Sequence, residues 1–387
     1  MASGYSDFAR NIGKQRLTGL RRPALACTLP THVWGNRRAA TWPGLPARTS
    51  GVFPSLRVRG PVEQGVLLSM DGFAQVPGGR RRRLAQEISC RGVGLHTGRQ
   101  LTLSLQPAAS GAGIVFRRSD LGVTIPARAD HVVDTRLCTA LGLPGRAEAR
   151  VGTVEHVMAA LAASGIDDAV IEVNGPEIPI LDGSAEPFLF LIGCAGTAEQ
   201  FGQRHSLKVL KTVRVEDETG AWAELSPLEG LGFEATLAIA FPGTAIGQQS
   251  LGLRVTMGSF RAELARARTF TLAEDVARLR AAGLARGGSL ANAVVVDGPL
   301  VVNPGGLRSP DEFVRHKLLD VVGDLALAGH PIAGRFRGMR SGHALNNRLL
   351  RALLADPSAA RIVAGHALAP EQAPNASSIE APVAVAA

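Results

Sequence analysis

A chain of 387 residues, 45% hydrophobic and 19% charged, holds enough apolar material for roughly two to three domains, which excludes a mainly disordered protein. Aromatics at 4% exclude stacking platforms for single-stranded nucleic acid, and the lack of any run of about 18 apolar residues excludes a transmembrane helix. The net charge of +9 invites a nucleic-acid or membrane-binding module, yet residues 1–69 hold ten Lys/Arg against two acids (Asp7, Glu63), which leaves the other 318 residues at +1.

Residues 1–75 therefore read as a disordered basic leader, either sequence upstream of a misassigned start, with Met70 the natural one, or a targeting segment of transit-peptide composition. Four dispersed cysteines (Cys27, Cys90, Cys138, Cys194) exclude a disulfide scaffold and suit a reducing compartment. Alternation predicts strands over Gln100–Leu105 and Ala169–Val173, with a helix between them capped by Thr153 and stopped by Gly165. Strands are next expected over Leu207–Glu216 and Ala235–Phe241, then helices near Ser259–Arg266 and Thr271–Ala282. Ala293–Val302, interrupted by Asp297-Gly298-Pro299, reads as a hairpin. Ser309-Pro310-Asp311-Glu312 supplies an N-cap, a first-turn proline and a capping-box glutamate for a helix that runs to Ala328 and stops at Gly329. A last helix covers Ala344–Ala355, and hydrophilic residues 197–205 mark the expected domain boundary. The division is 76–200 for domain I, 201–368 for domain II and 369–387 for a disordered tail.

The chemistry concentrates in five places. His316, Asp320 and Asp324 stand at i, i+4 and i+8 on one helical stripe, so an imidazole and a carboxylate can reach a single ion, as zinc or a neighbouring first-row metal requires. The same spacing also fits a solvated His–Asp pair that supports the helix. Glu155-His156 opens the earlier helix, where His156 can ligate and Glu155 flank the site; the plainer alternative is an acid on the helix dipole beside a core histidine. Ser341-Gly342-His343 places a histidine in a loop, and Arg266-Ala267-Arg268-Thr269-Phe270 places a hydroxyl between a basic pair and an aromatic ring, which also suits a helix cap. Gly92-Val93-Gly94-Leu95-His96-Thr97-Gly98 lacks dinucleotide-loop spacing and reads as a tight turn.

Taken together, RGVGLHTGR (91–99), DTRLCT (134–139), residues 153–188, RARTF (266–270), EFVRHKLLDVVGDL (312–325) and SGHALNN (341–347) resemble the zinc-dependent UDP-3-O-acyl-N-acetylglucosamine deacetylases of lipid A synthesis. The resemblance covers about 80–355. It implies an α+β fold of two similar domains, each a β-sheet packed on two helices, with the helices sandwiched between the sheets. It also implies hydrolysis of the N-acetyl group to acetate and the free amine. An amidohydrolase acting on another N-acyl substrate has the same spacing and stays open as an alternative.

By this resemblance His156, His316 and Asp320 are the Zn2+ ligands, leaving a fourth position for water. Glu155 is the general base, Thr269 the oxyanion donor, His343 the protonated acid, and Asp324 its partner. Phe270 and Lys317 contact the sugar and the diphosphate of the substrate. A βαβ insert forms the acyl-chain passage, with 283–307 the matching stretch. Arg286 in that stretch and Thr271, directly after RARTF, depart from the family's pattern. The expected partners are a small-molecule substrate and no nucleic acid, with membrane contact at most peripheral. A cytoplasmic monomer is expected, or an organellar one if residues 1–69 are a genuine transit peptide.

Overall fold

The computed structural model describes residues 79–365; the expected leader (1–75) and tail (369–387) lie outside the described residues. Six α-helices are described: α1 (Glu155–Ala163), α2 (Glu186–Ala195), α3 (Met257–Ser259), α4 (Ala273–Ala281), α5 (Glu312–Leu325) and α6 (His343–Ala355). No helix among the described residues is long and apolar enough to cross a membrane.

Alternating apolar residues build the first sheet. Leu101, Leu103 and Leu105 on one strand and Ala169, Ile171 and Val173 on the next are all buried. Its five strands run in the order Ile88–Val93, Gln100–Pro107, Ala169–Val173, Ile114–Arg118, Val123–Pro126. The second sheet centres on Ile332–Met339, which pairs antiparallel with Trp222–Ser226 and parallel with both His205–Val209 and Phe233–Phe241.

The helices α1, α2, α5 and α6 lie between these sheets. α2 packs on the strand Ile88–Val93, α1 on α2, α1 on α5, α5 on Phe233–Phe241, and α6 on Trp222–Ser226. The chain is thus an α+β protein whose two larger sheets, of five and seven strands, sandwich α1, α2, α5 and α6, with three smaller sheets beside them among the described residues. Because α5 sits in the middle, twelve of its fourteen residues are buried, from Glu312 to Leu325. Val314, Leu318 and Val321 are a fully buried apolar stripe of α5, which packs on Phe233–Phe241 on one side and α1 on another, so its polar stripe is buried as well. The close approach of α1 to α5 depends on Gly323, where an added Cβ would lie 2.0 Å from the carbonyl oxygen of Glu155.

Several elements differ from expectation. Leu207–Glu216 is two strands, His205–Val209 and Val213–Glu216, separated where Leu210 and Lys211 turn to bond Ala359. Hydrophilic residues 197–203 form a strand, antiparallel to the basic strand Arg80–Leu84; an exposed two-stranded ribbon needs no apolar face. Near Ser259 there is one α-turn and then a π-turn, Phe260–Leu264. Thr271 lies in the short strand Phe270–Leu272, and the helix starts after it, at Ala273. That strand, α4 and the parallel strand Val294–Asp297 form a βαβ unit, so the unit begins before the 283–307 stretch. Its last strand turns back at Gly298 into Leu300–Val301, the expected hairpin.

Candidate active site

The entry to α1 is set by an unusual backbone. Thr153 adopts φ +57°, a left-handed conformation that β-branched residues rarely take. It therefore does not cap the helix, because a cap needs extended backbone to return its hydroxyl to the first amides. Val154 is the N-cap residue, without a side-chain bond, and Gly165 (φ +66°) follows the helix end as expected. The turn places Glu155 and His156 at the head of α1, both buried. The Thr139 amide donates to Glu155 Oε2 at 3.0 Å and fixes the carboxylate.

α5 brings the second half of the site. His316 and Asp320, one turn apart, approach to 3.4 Å between Nε2 and Oδ1. His156 Nε2 lies 3.7 Å from the same Oδ1, and one ligand atom from each of the three residues lies within 4.8 Å of the others. His316 Nδ1 is 3.1 Å from the carbonyl of Ala267, which only accepts, so Nδ1 carries the proton and Nε2 is left free for an ion. Burial and then the neighbouring His316 push His156 down to about 3, so it is neutral and able to ligate. Asp320 Oδ1 is buried with no hydrogen-bond partner. Its other oxygen accepts from Lys317 Nζ at 2.9 Å; burial opposes that ammonium charge, but Asp320 more than compensates and holds Lys317 above its ordinary pKa.

α6 supplies the third component. It begins at His343, one residue before the expected start. His343 Nδ1 donates to Asp324 Oδ2 at 2.9 Å, while Nε2 faces Glu155 Oε1 at 3.9 Å. Burial acts against an imidazolium, but the Asp324 carboxylate overrides it and raises His343 to about 9. Glu155 is pushed up to about 7, chiefly by burial, with His343 opposing and Asp320 adding to the rise.

Residues that sequence reasoning missed hold this pair. Thr139 Oγ1 donates to Asp324 Oδ1 at 2.6 Å, and Asn346 Nδ2 donates to Oδ2 at 2.8 Å. Asn346 stands at i+3 from His343 on α6, a spacing visible in the sequence. Thr139 carries no such signal; its contact spans 185 positions.

Thr269 and Phe270 are delivered by a buried ion pair. The Arg268 guanidinium grips Glu312 through Nε (2.8 Å) and Nη2 (3.0 Å), and the Arg268 amide donates to the same carboxylate at 3.0 Å. The Glu312 carboxylate therefore does not cap Ser309, although the Glu312 amide donates to the Ser309 carbonyl at 3.1 Å. Asp311 is the N-cap residue of α5, and Glu312 reaches back instead to the Arg308 amide at 2.6 Å. Thr269 is held next to the site by its amide bond to Gly183 O at 2.8 Å. Gly183 must be glycine: at φ +85° an added Cβ would lie 2.1 Å from Asn292 O. Phe270 packs edge-on against Phe313 and Phe241, with ring centroids 5.0 and 5.8 Å away.

These elements enclose a cavity of about 440 Å³ whose lining includes Glu155, His156, Thr269, His316, Asp320 and His343. Phe270 and Lys317 line it too, and Asp324 lies behind His343. All nine expected site residues are thus brought together at the junction of α1, α5 and α6. The 92–98 segment is a tight turn pinned by Glu177, which accepts from the amides of His96 and Thr97.

Residues 81–355 match the family model LpxC, UDP-3-O-acyl N-acetylglycosamine deacetylase. A relative from Anaeromyxobacter dehalogenans (strain 2CP-C), named UDP-3-O-acyl-N-acetylglucosamine deacetylase, is 50% identical over 283 residues, 73% of this chain and 90% of its own length. One of the same name from Shewanella frigidimarina (strain NCIMB 400) is 48% identical over 285 residues, 73% of this chain and 92% of its own.

Proposed function

The chain belongs to the LpxC family of UDP-3-O-acyl N-acetylglycosamine deacetylases, and on that premise we propose how its residues divide the work of amide hydrolysis. The substrate is UDP-3-O-acyl-N-acetylglucosamine, a step of lipid A biosynthesis. A water oxygen bonds to the acetyl carbon, the C–N bond breaks, acetate leaves, and the sugar nitrogen takes up a proton. The observation that carries this reading is the meeting of His156 with His316 and Asp320, with Glu155 and His343 at the same cavity.

The three ligand residues fit a divalent ion. Two imidazoles, one of them firmly neutral, face a buried carboxylate oxygen that has no other partner. Two nitrogens and one oxygen suit Zn2+, which when bound supplies a Lewis acid for the acetyl carbonyl. Glu155, with a pKa near neutrality, accepts a proton from the attacking water. Thr269 donates its hydroxyl to the carbonyl oxygen as negative charge develops there. His343, protonated at neutral pH and held by Asp324, passes a proton to the leaving nitrogen. Phe270 contacts the sugar and Lys317 the diphosphate, while the insert around 283–307 receives the acyl chain. Domain I (76–200) thereby contributes the base and one ligand, and domain II (201–368) the rest. The protein acts as a cytoplasmic monomer on a small-molecule substrate.

The test is acetate release together with metal analysis. Asp320→Ala abolishes both bound zinc and turnover, whereas Glu155→Ala keeps the zinc and loses turnover. An Asp320→Ala protein with stoichiometric zinc would defeat the ligand assignment.

A further inference from the structure

We propose that Thr153 is a positioning residue of this site, its hydroxyl holding the solvent oxygen that Glu155 activates; the proposal rests on the deacetylase reading above. Three observations converge on it. Thr153 is only 3% exposed, yet its Oγ1 has no hydrogen-bond partner, which is unfavourable for a buried hydroxyl. It lines the same cavity as Glu155, two positions along the chain. It also holds φ +57°, where a β-branched residue is strained and glycine is not.

These features make little sense as a purely structural choice. Gly165 and Gly183 meet similar left-handed turns with glycine, and of the four non-glycine residues at positive φ among the described residues (Thr153, Leu181, Ala285, Arg340) Thr153 is the β-branched one. As a helix cap Thr153 fails, since no side-chain bond reaches the first turn of α1. The Thr153 hydroxyl can donate to the Cys138 thiol beside it, but that thiol stays neutral, pushed up to about 12 by burial and then by Glu155, and a neutral thiol is a weak acceptor. The Thr153 hydroxyl therefore lines a cavity where an oxygen atom is needed. Among the polar groups of the cavity, Glu155 is oriented by Thr139 and His343 by Asp324. Asp320 Oδ1 has the metal as its proposed partner and Thr269 the acetyl carbonyl, which leaves Thr153 to take its partner from solvent. A hydroxyl both donates and accepts, so it can bond a water molecule while Glu155 takes that molecule's proton.

The discriminating variant is Thr153→Val, which keeps the branched shape and the strained backbone and removes only the hydroxyl. The expected result is a fall in kcat of about tenfold, equal to about 1.4 kcal/mol of barrier, with KM within about twofold. Metal content should be unchanged and the melting temperature equal or higher, since an unpaired buried hydroxyl has been removed. Thr153→Ser should recover most of kcat. A Thr153→Val protein with wild-type kcat overturns the proposal. So does parallel loss of kcat and melting temperature in the Val and Ser variants, the signature of a merely structural residue. Failure of the deacetylase reading would appear separately, as wild-type protein that releases no acetate, and would overturn this proposal with it.

Discussion

Asp324 Oδ2 and His343 Nδ1 meet at 2.9 Å across the α5–α6 interface, and that contact keeps the imidazole protonated far above its ordinary range. Loss of the charge in Asp324→Asn removes the largest influence opposing burial and leaves only the weaker pull of Asp320 and Glu155, so the His343 pKa falls. The wild-type acid is charged below about 9, and activity should decline as pH rises through that value. In the variant the alkaline decline should move to lower pH, with kcat at neutral pH reduced by roughly a hundredfold. A pH profile of kcat for the two proteins checks this, and an unmoved alkaline limb would count against the proton-donor role of His343.

Gly323 should tolerate no side chain. The atom an added Cβ meets is backbone, the Glu155 carbonyl oxygen, and cannot swing aside. Gly323→Ala is expected to lose about 1–3 kcal/mol of stability and to spread α1 from α5. Because His156 rides on α1 and the other two proposed ligands, His316 and Asp320, on α5, zinc affinity should fall in the same variant. Thermal melting with and without zinc measures both effects.

The Arg268–Glu312 pair is buried and bidentate, so breaking it from one side strands a charge. Arg268→Ala is expected to lose about 3–5 kcal/mol, more than a paired replacement of both residues by apolar ones. Burial tends to raise Glu312, but Arg268 and the amides it accepts from hold it below its ordinary pKa. The stabilisation is therefore complete above the ordinary carboxylate range and disappears as pH falls through the depressed value. Denaturant melts from pH 7 to pH 3 should show that acid-side loss in wild type and a weaker one in Arg268→Ala.

Zinc removal should have a graded thermodynamic signature. At a free concentration 100 times its dissociation constant, a bound ion adds about 2.7 kcal/mol to the folded state. Chelation should lower the melting temperature of the wild type and leave His316→Ala unmoved. Equal responses would place the ion elsewhere.

Much of this was legible in the amino acids. The i, i+4, i+8 spacing of His316, Asp320 and Asp324 put three groups on one stripe before any partner was known, and Gly165 and Gly329 stopped their helices where expected. What the pattern could not show was competition for a side chain. Glu312 looked like a capping-box residue, but a buried guanidinium far along the chain claims it. Thr153 looked like a cap, but its backbone turned left-handed. Residues 197–205 read as a domain boundary and not as a strand because an exposed ribbon strand carries no apolar signature. Thr139 offered no periodicity at all, since its importance comes from two contacts made across the fold.

α4 has no buried residue, and its packing contacts fall mainly on the two parallel strands it joins. Amide protons along it should accordingly exchange with deuterium well before those of α1 or α5, on a timescale set by local opening rather than global unfolding. The catalytic floor and the outlying crossover would then behave as separate cooperative units, letting one accommodate tails of different length while the other keeps its geometry.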